Sequence, residues 1–150
     1  MKRKIPENTA YFKYYNANPK DKKTGDCVIR ALSLAMNKSW DEVLTDLYGY
    51  AMKYKQMLND DTLYKKYLKD NGWIMLKQPR KWDNTKYTGI EFCSELLEDY
   101  CFNYDEYEVS KYKNIIAHIG GHHIVAIIDG RIHDTWNSSN GCIGRIWVKE

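Results

Sequence analysis

A thiol at Cys27, an imidazole at His123 and a carboxylate at Asp134 lie far apart in this chain, yet together they could break an acyl bond. A helical apolar pattern starts on the cysteine. In Gly25-Asp26-Cys27-Val28-Ile29-Arg30-Ala31-Leu32 and onward, Val28, Ala31, Leu32 and Ala35 fall at i, i+3, i+4 and i+7, so an amphipathic helix is expected from Cys27 to about Met36. Asp26 then takes the N-cap and Cys27 the first helical position. A sulfur placed there faces unpaired N–H groups and the positive end of the helix dipole, which favour thiolate and lower a cysteine pKa from its reference of about 8.5. The neighbouring Asp26 works against this. Arg30, at i+4 from Asp26 and i+3 from Cys27, can pair with the acid and also bring a cation to the sulfur. The competing reading makes Asp26 a plain cap, Arg30 its partner and Cys27 a small buried hydrophobe.

The histidine and the acid are related by strand register. Ile124-Val125-Ala126-Ile127-Ile128, then Asp129-Gly130, then Arg131-Ile132-His133-Asp134-Thr135-Trp136 reads as a β-hairpin, because Asp-Gly between β-branched runs favours a two-residue type I′ turn. If Ile128 opposes Arg131, Val125 opposes Asp134 and His123 opposes Trp136. Side chains alternate along a strand, so His123, Asp134 and Trp136 share one face, with Asp134 diagonal to His123. His122, His133 and Asn137 fall on the other face. A three-residue loop would shift one strand by a residue and undo the assignment.

These elements resemble the papain-like cysteine peptidases in the broad sense, small bacterial and phage-borne members included. The likeness rests on the order Cys, His, Asp, and on Gly25-Asp26-Cys27, His123-Ile124-Val125-Ala126 and Asp134-Thr135-Trp136. It spans roughly residues 14–38 and 115–148. It implies a cysteine heading a helix packed on an antiparallel sheet, a histidine opening a strand, and a tryptophan, here Trp136, sheltering the bond between the histidine and its orienting acid. In that family a glutamine six residues ahead of the cysteine supplies the oxyanion donor. Asp21 stands at that position here, and an ionised acid cannot donate, so Asn16 or Asn18 is expected to supply the amide beside the Cys27 N–H.

Length and composition bound the remainder. The 150 residues, 43% hydrophobic, suit a single domain over 1–150. Cys27, Cys93, Cys101 and Cys142 show no paired spacing, and Met1-Lys2-Arg3-Lys4-Ile5-Pro6 lacks the apolar stretch of a secretory signal, so a cytoplasmic protein of a bacterium or a phage-infected cell is expected. The longest apolar runs fall far short of the ~18 residues of a membrane span, so no membrane partner is expected. The net charge of +3 arises from mixed signs spread along the chain, which argues against a dedicated nucleic-acid groove, although Lys and Tyr interleave in residues 11–15 and 64–67. His118, His122, His123, His133 and the cysteines show neither Cys-x-x-Cys nor His-Glu-x-x-His spacing, so no metal and no cofactor is expected.

Between the two halves of the candidate site a helical insertion is expected. Ser39-Trp40-Asp41-Glu42 reads as a capping box opening a helix that runs to about Leu58. Asp60 or Asp61 caps a second, closed by Asn71-Gly72. A short strand is expected at residues 73–76, an exposed loop at 78–84, and a helix opened by Thr88-Gly89-Ile90-Glu91 with Phe92, Leu96 and Leu97 turned inward. Strands near 114–119, 124–128, 131–136 and 143–148 complete an α+β fold: an N-terminal cysteine-bearing helix packed on a C-terminal antiparallel sheet. The reading is a Cys27-His123-Asp134 hydrolase of a peptide, isopeptide or related amide bond, acting on a protein or peptide substrate and supported by Asn16, Asn18, Trp136 and Arg30. Two alternatives stand beside it: an inactive papain-like binding protein, such as a phage protein that blocks a host factor, and a nucleic-acid-binding protein.

Overall fold

A computed structural model describes residues 4–98, 103–104 and 107–150, so Cys101 lies outside the described residues. The apolar stripe that begins at Cys27 forms helix α1, Cys27–Met36, which buries Val28, Ile29, Ala31, Leu32 and Ala35 and ends where Asn37 turns left-handed at φ 54°. Helix α2, Trp40–Tyr54, is opened by the Ser39–Glu42 capping box. It stops a turn before Leu58, because Lys55 adopts a left-handed conformation and Met57 points into solvent at 70% exposure. Helix α3, Asp61–Asp70, turns Leu63, Tyr64, Tyr67 and Leu68 inward. Helix α4, Gly89–Leu97, has a second reciprocal capping box between Thr88 and Glu91. Phe92 is buried in it as expected. Leu97 is half exposed, since it lies over the turn at Gly130, where a Cβ would come within 2.6 Å of its side chain.

Eight short strands occur among the described residues: β1 (Phe12–Tyr14), β2 (Ile74–Leu76), β3 (Asn103–Tyr104), β4 (Tyr107–Glu108), β5 (Asn114–Ile119), β6 (His123–Ile128), β7 (Arg131–Asp134) and β8 (Ile143–Val148). Strands β3 and β4 form a separate pair, and the other six make one sheet in the order β1-β7-β6-β5-β8-β2. The sheet is mixed, not purely antiparallel as expected, because β1 joins β7 in parallel with Phe12 beside Ile132 and Tyr14 beside Asp134. Three residues with a single fully buried side chain carry too little alternation to be read as a strand before the neighbouring edge is known. Strand β7 also ends two residues early, at Asp134, so the ladder never reaches Trp136.

Alternation along β5 and β6 feeds two cores. Ile115, Ala117, Ile119, Val125 and Ile127 pack with Phe92 and Cys93 of α4 on one face. Ile116, Ile124 and Ala126 pack with Val28, Leu32, Leu47 and Tyr64 of α1–α3 on the other. A ten-residue helix is marginal in isolation. Helix α1 is held by burial, at roughly 1.5–3 kcal/mol for each fully buried aliphatic side chain, and that burial fixes its first residue at one end of the sheet. Among the described residues no helix is long and apolar enough to cross a membrane.

Candidate active site

The turn after β6 sets the geometry of everything beyond it. Asp129 and Gly130 both take positive φ, 50° and 72°, the pair of left-handed residues a type I′ turn needs. Ile128 therefore opposes Arg131, Ile127 opposes Ile132 and Ala126 opposes His133. His123 heads β6 and Asp134 ends β7, so both sit at the same end of the hairpin. The His123 Nε2 and Asp134 Oδ2 atoms are 2.6 Å apart. Trp136 has left the ladder, but its ring lies over the imidazole, with centroids 5.0 Å apart. Trp136 thus meets His123 as a tilted ring, 38° from the imidazole plane, reaching in from the loop after β7, and not as the strand neighbour expected.

Helix α1 delivers the thiol to this end. Cys27 is part-buried, and its thiol is influenced by the His123 side chain and by the backbone of Ile124. Burial pushes the Cys27 thiol up, but the His123 bond and charge, the Ile124 N–H and the Arg30 guanidinium outweigh it, so the thiol sits below its ordinary value. For His123, burial is again the largest single effect and disfavours the cation. The carboxylate of Asp134 and the sulfur of Cys27 reverse this and push the imidazole up to about 9. Because His123 engages Asp134 through Nε2, its Nδ1 is left for the sulfur.

Asp134 is 1% exposed and saturated with donors: Arg30 Nη1 at 2.8 Å, the Thr135 N–H at 2.7 Å, Ser138 Oγ at 2.9 Å and His123. Burial raises its pKa, yet His123, Arg30 and the Thr135 N–H more than offset this and hold the carboxyl below its ordinary range. The Arg30–Asp134 pair joins residues 104 positions apart, and no local pattern announces it. Its other half was legible, as Arg30 Nε meets Asp26 Oδ1 at 2.9 Å across one helical turn. Asp26 occupies the N-cap but makes no side-chain cap bond; its second oxygen accepts instead from Trp40 Nε1 at 2.9 Å. The carboxylate beside Cys27 is thus ion-paired with Arg30, hydrogen-bonded by Trp40 and turned away from the role of cap.

The amides expected to hold an oxyanion are placed differently from each other. Asn16 commits its Nδ2 to Asp21 and to the Lys22 carbonyl, at 3.2 and 3.1 Å, so its donors are used inside its own loop. Asn18 donates its backbone N–H to Asn16 Oδ1 and accepts from the Lys20 N–H through its own Oδ1, and its side-chain N–H groups have no hydrogen bond among the described residues. The N–H of Cys27, at the first helical position, has no intrahelical acceptor. A cavity of about 170 Å³ opens beside His123 and Trp136, floored by Gly120 and Gly141. Among the described residues no group of three or more His, Cys, Asp or Glu is arranged to hold a metal ion.

The remaining histidines lie apart from the sulfur. His133 is held by the Arg131 carbonyl through Nδ1 and packs on Tyr15, His118 bonds to Tyr64, and His122 is exposed on the turn before β6. His122→Ala should accordingly leave alkylation of Cys27 at pH 7 within about twofold of the parent rate, since His122 makes no contact that perturbs the sulfur; a loss as large as that of His123→Ala would refute the hairpin placement. No family model, curated protein or solved structure matches this chain.

Proposed function

We propose that this chain is a thiol hydrolase of papain-like architecture, cleaving a peptide, isopeptide or related amide through Cys27, His123 and Asp134. The observation that carries the reading is the 2.6 Å His123–Asp134 bond at the end of the hairpin to which α1 brings Cys27, with the thiol lowered by His123 and the imidazole raised by Asp134 and Cys27. That pairing of shifts is what a nucleophile and its base require at neutral pH and what a structural cysteine lacks. The Cys27 sulfur attacks the carbonyl carbon, the imidazolium gives its Nδ1 proton to the departing amine, and a thioester remains. Water then adds to the thioester while His123 takes a proton, releasing the acid and restoring the thiol. Asp134 holds the ring in the orientation that presents Nδ1, with Trp136 over one side of the His123–Asp134 bond. The Cys27 N–H lies free at the helix terminus to meet the oxyanion, and Asn18 is the amide left to assist it.

One observation favours the alternative of an inactive binding protein: the Asn16 amide is already committed within its loop. Thiol labelling decides between them. Iodoacetamide at pH 6–7 should modify Cys27 at least about tenfold faster than Cys142, and Cys93 only on unfolding, because thiolate is the reactive form and burial pushes the Cys93 thiol up to about 12. Equal labelling of Cys27 and Cys142, read by peptide mass mapping, would leave a binding protein as the better reading.

A further inference from the structure

The face of the β5–β6 hairpin opposite Trp136 borders a second and larger cavity, of about 790 Å³. His118, of β5, and His122, of the turn before β6, line it, while their chain neighbours Ile119 and His123 line the cavity on the Trp136 side. It lies on the side of the sheet that carries Cys27: His118, in its wall, stands opposite Ile124, and Tyr64, also in its wall, packs with Ile124 in the core against which Cys27 rests. Gly144 keeps the floor open, since a Cβ there would come to 3.0 Å from the Cβ of His118. The volume is enough for two or three side chains of an extended peptide.

The charges around this cavity are unbalanced. Lys65 is paired with Asp61 at 2.9 Å, and Asp60 accepts the Met57 N–H. Lys77, Lys86 and Arg145 are exposed, line the same space and enter no ion pair among the described residues. Arg145 donates from Nη1 to the Met75 sulfur at 3.5 Å. Three cations drawn from the end of β2, the loop before α4 and β8 therefore face one hollow, and none of them is ion-paired among the described residues. Asp60 and Asp61 also line the cavity, but Lys65, Lys77, Lys86 and Arg145 outnumber them, so the lining is net positive and its concave shape focuses that field on whatever enters.

We propose that this cavity selects acidic side chains of a peptide substrate, held by Lys77, Lys86 and Arg145 while the scissile carbonyl lies at Cys27. The proposal rests on the hydrolase reading and specifies its substrate class. It is tested on the full chain with pairs of peptidyl chloromethyl ketones that differ only by Glu or Gln, following alkylation of Cys27 by mass spectrometry, with iodoacetamide as a small neutral control. The Glu probe should react about tenfold faster than the Gln probe at low ionic strength. The ratio should fall toward one in about 0.5 M salt, where charge is screened within about one contact distance, and in Lys77→Gln/Lys86→Gln/Arg145→Gln. Because the readout is a ratio within one protein, a general loss of reactivity cancels. Equal Glu and Gln rates in the parent chain, with iodoacetamide still selecting Cys27, would overturn the acidic specificity and leave the hydrolase standing. Failure of iodoacetamide to select Cys27 would overturn both. Protection of Cys27 by a single-stranded oligonucleotide, where a Glu-rich peptide gives none, would assign the cations to nucleic acid and equally overturn the proposal.

Discussion

Asp134→Ala should slow acylation of Cys27 by a neutral peptide electrophile by about 10²–10⁴-fold, the range for loss of an oriented general base. The imidazole keeps its place at the head of β6 but loses the 2.6 Å bond that turns Nδ1 toward the sulfur. The same substitution strips Arg30 of one of its two carboxylates and leaves a largely buried cation facing an empty site, so stability should fall by about 3–5 kcal/mol in chemical denaturation. Asp134→Asn, which keeps the volume and one acceptor oxygen, should unfold less readily while still losing most of the acylation rate. Linkage gives this acid a pH signature as well. Its folded pKa lies below the ordinary value, so its contribution is present at neutral pH and disappears as pH falls through that lowered value. The variant should lose that part of the acid limb. A folded Asp134→Ala protein with undiminished acylation would show the carboxylate to be only a strand-end clasp for Arg30.

Alkylation and amide cleavage should part company above pH 9. The Cys27–His123 pair titrates as a unit, with thiolate formed below the ordinary range of a cysteine and the imidazolium surviving to about 9. Alkylation by iodoacetamide needs only the thiolate, so its rate should rise early and then stay high. Cleavage of an amide also needs the Nδ1 proton for the leaving amine and should decline as pH passes about 9. In His123→Ala the burial that opposes thiolate is no longer countered by the imidazole, so labelling at pH 6 should drop by about tenfold or more and its limb shift to higher pH. Amide cleavage should vanish in that variant. The stability sign is the reverse of that for Asp134: a raised histidine pKa contributes fully below its unfolded value of about 6.5 and the contribution is lost as pH rises through about 9. Parallel alkylation and cleavage profiles across this range would contradict the ion-pair assignment.

What could be read from the chain alone was local. Helix α1 begins and ends where the spacing of Val28, Ala31, Leu32 and Ala35 places it, and both capping boxes form, because a cap and its first turn are decided within four residues. The hairpin register follows from Asp129-Gly130 for the same reason: two residues able to take positive φ set the alignment of the strands they join. That register was enough to pair His123 with Asp134. It did not carry to Trp136, whose position depends on where the chain leaves the sheet. Other features were decided only by packing between distant segments. Arg30 reaches Asp134 across 104 positions, β1 adds to the edge of β7 in parallel, and Trp40 donates to the second oxygen of Asp26. Each joins groups whose separation in sequence carries no information about their separation in space. Periodicity and turn chemistry thus placed Cys27 at the head of α1 and His123 and Asp134 at one end of the hairpin, while the neighbours that set their charge states, and the cavity lined by Lys77, Lys86 and Arg145, came into being only when α1 and the end strands closed on the sheet.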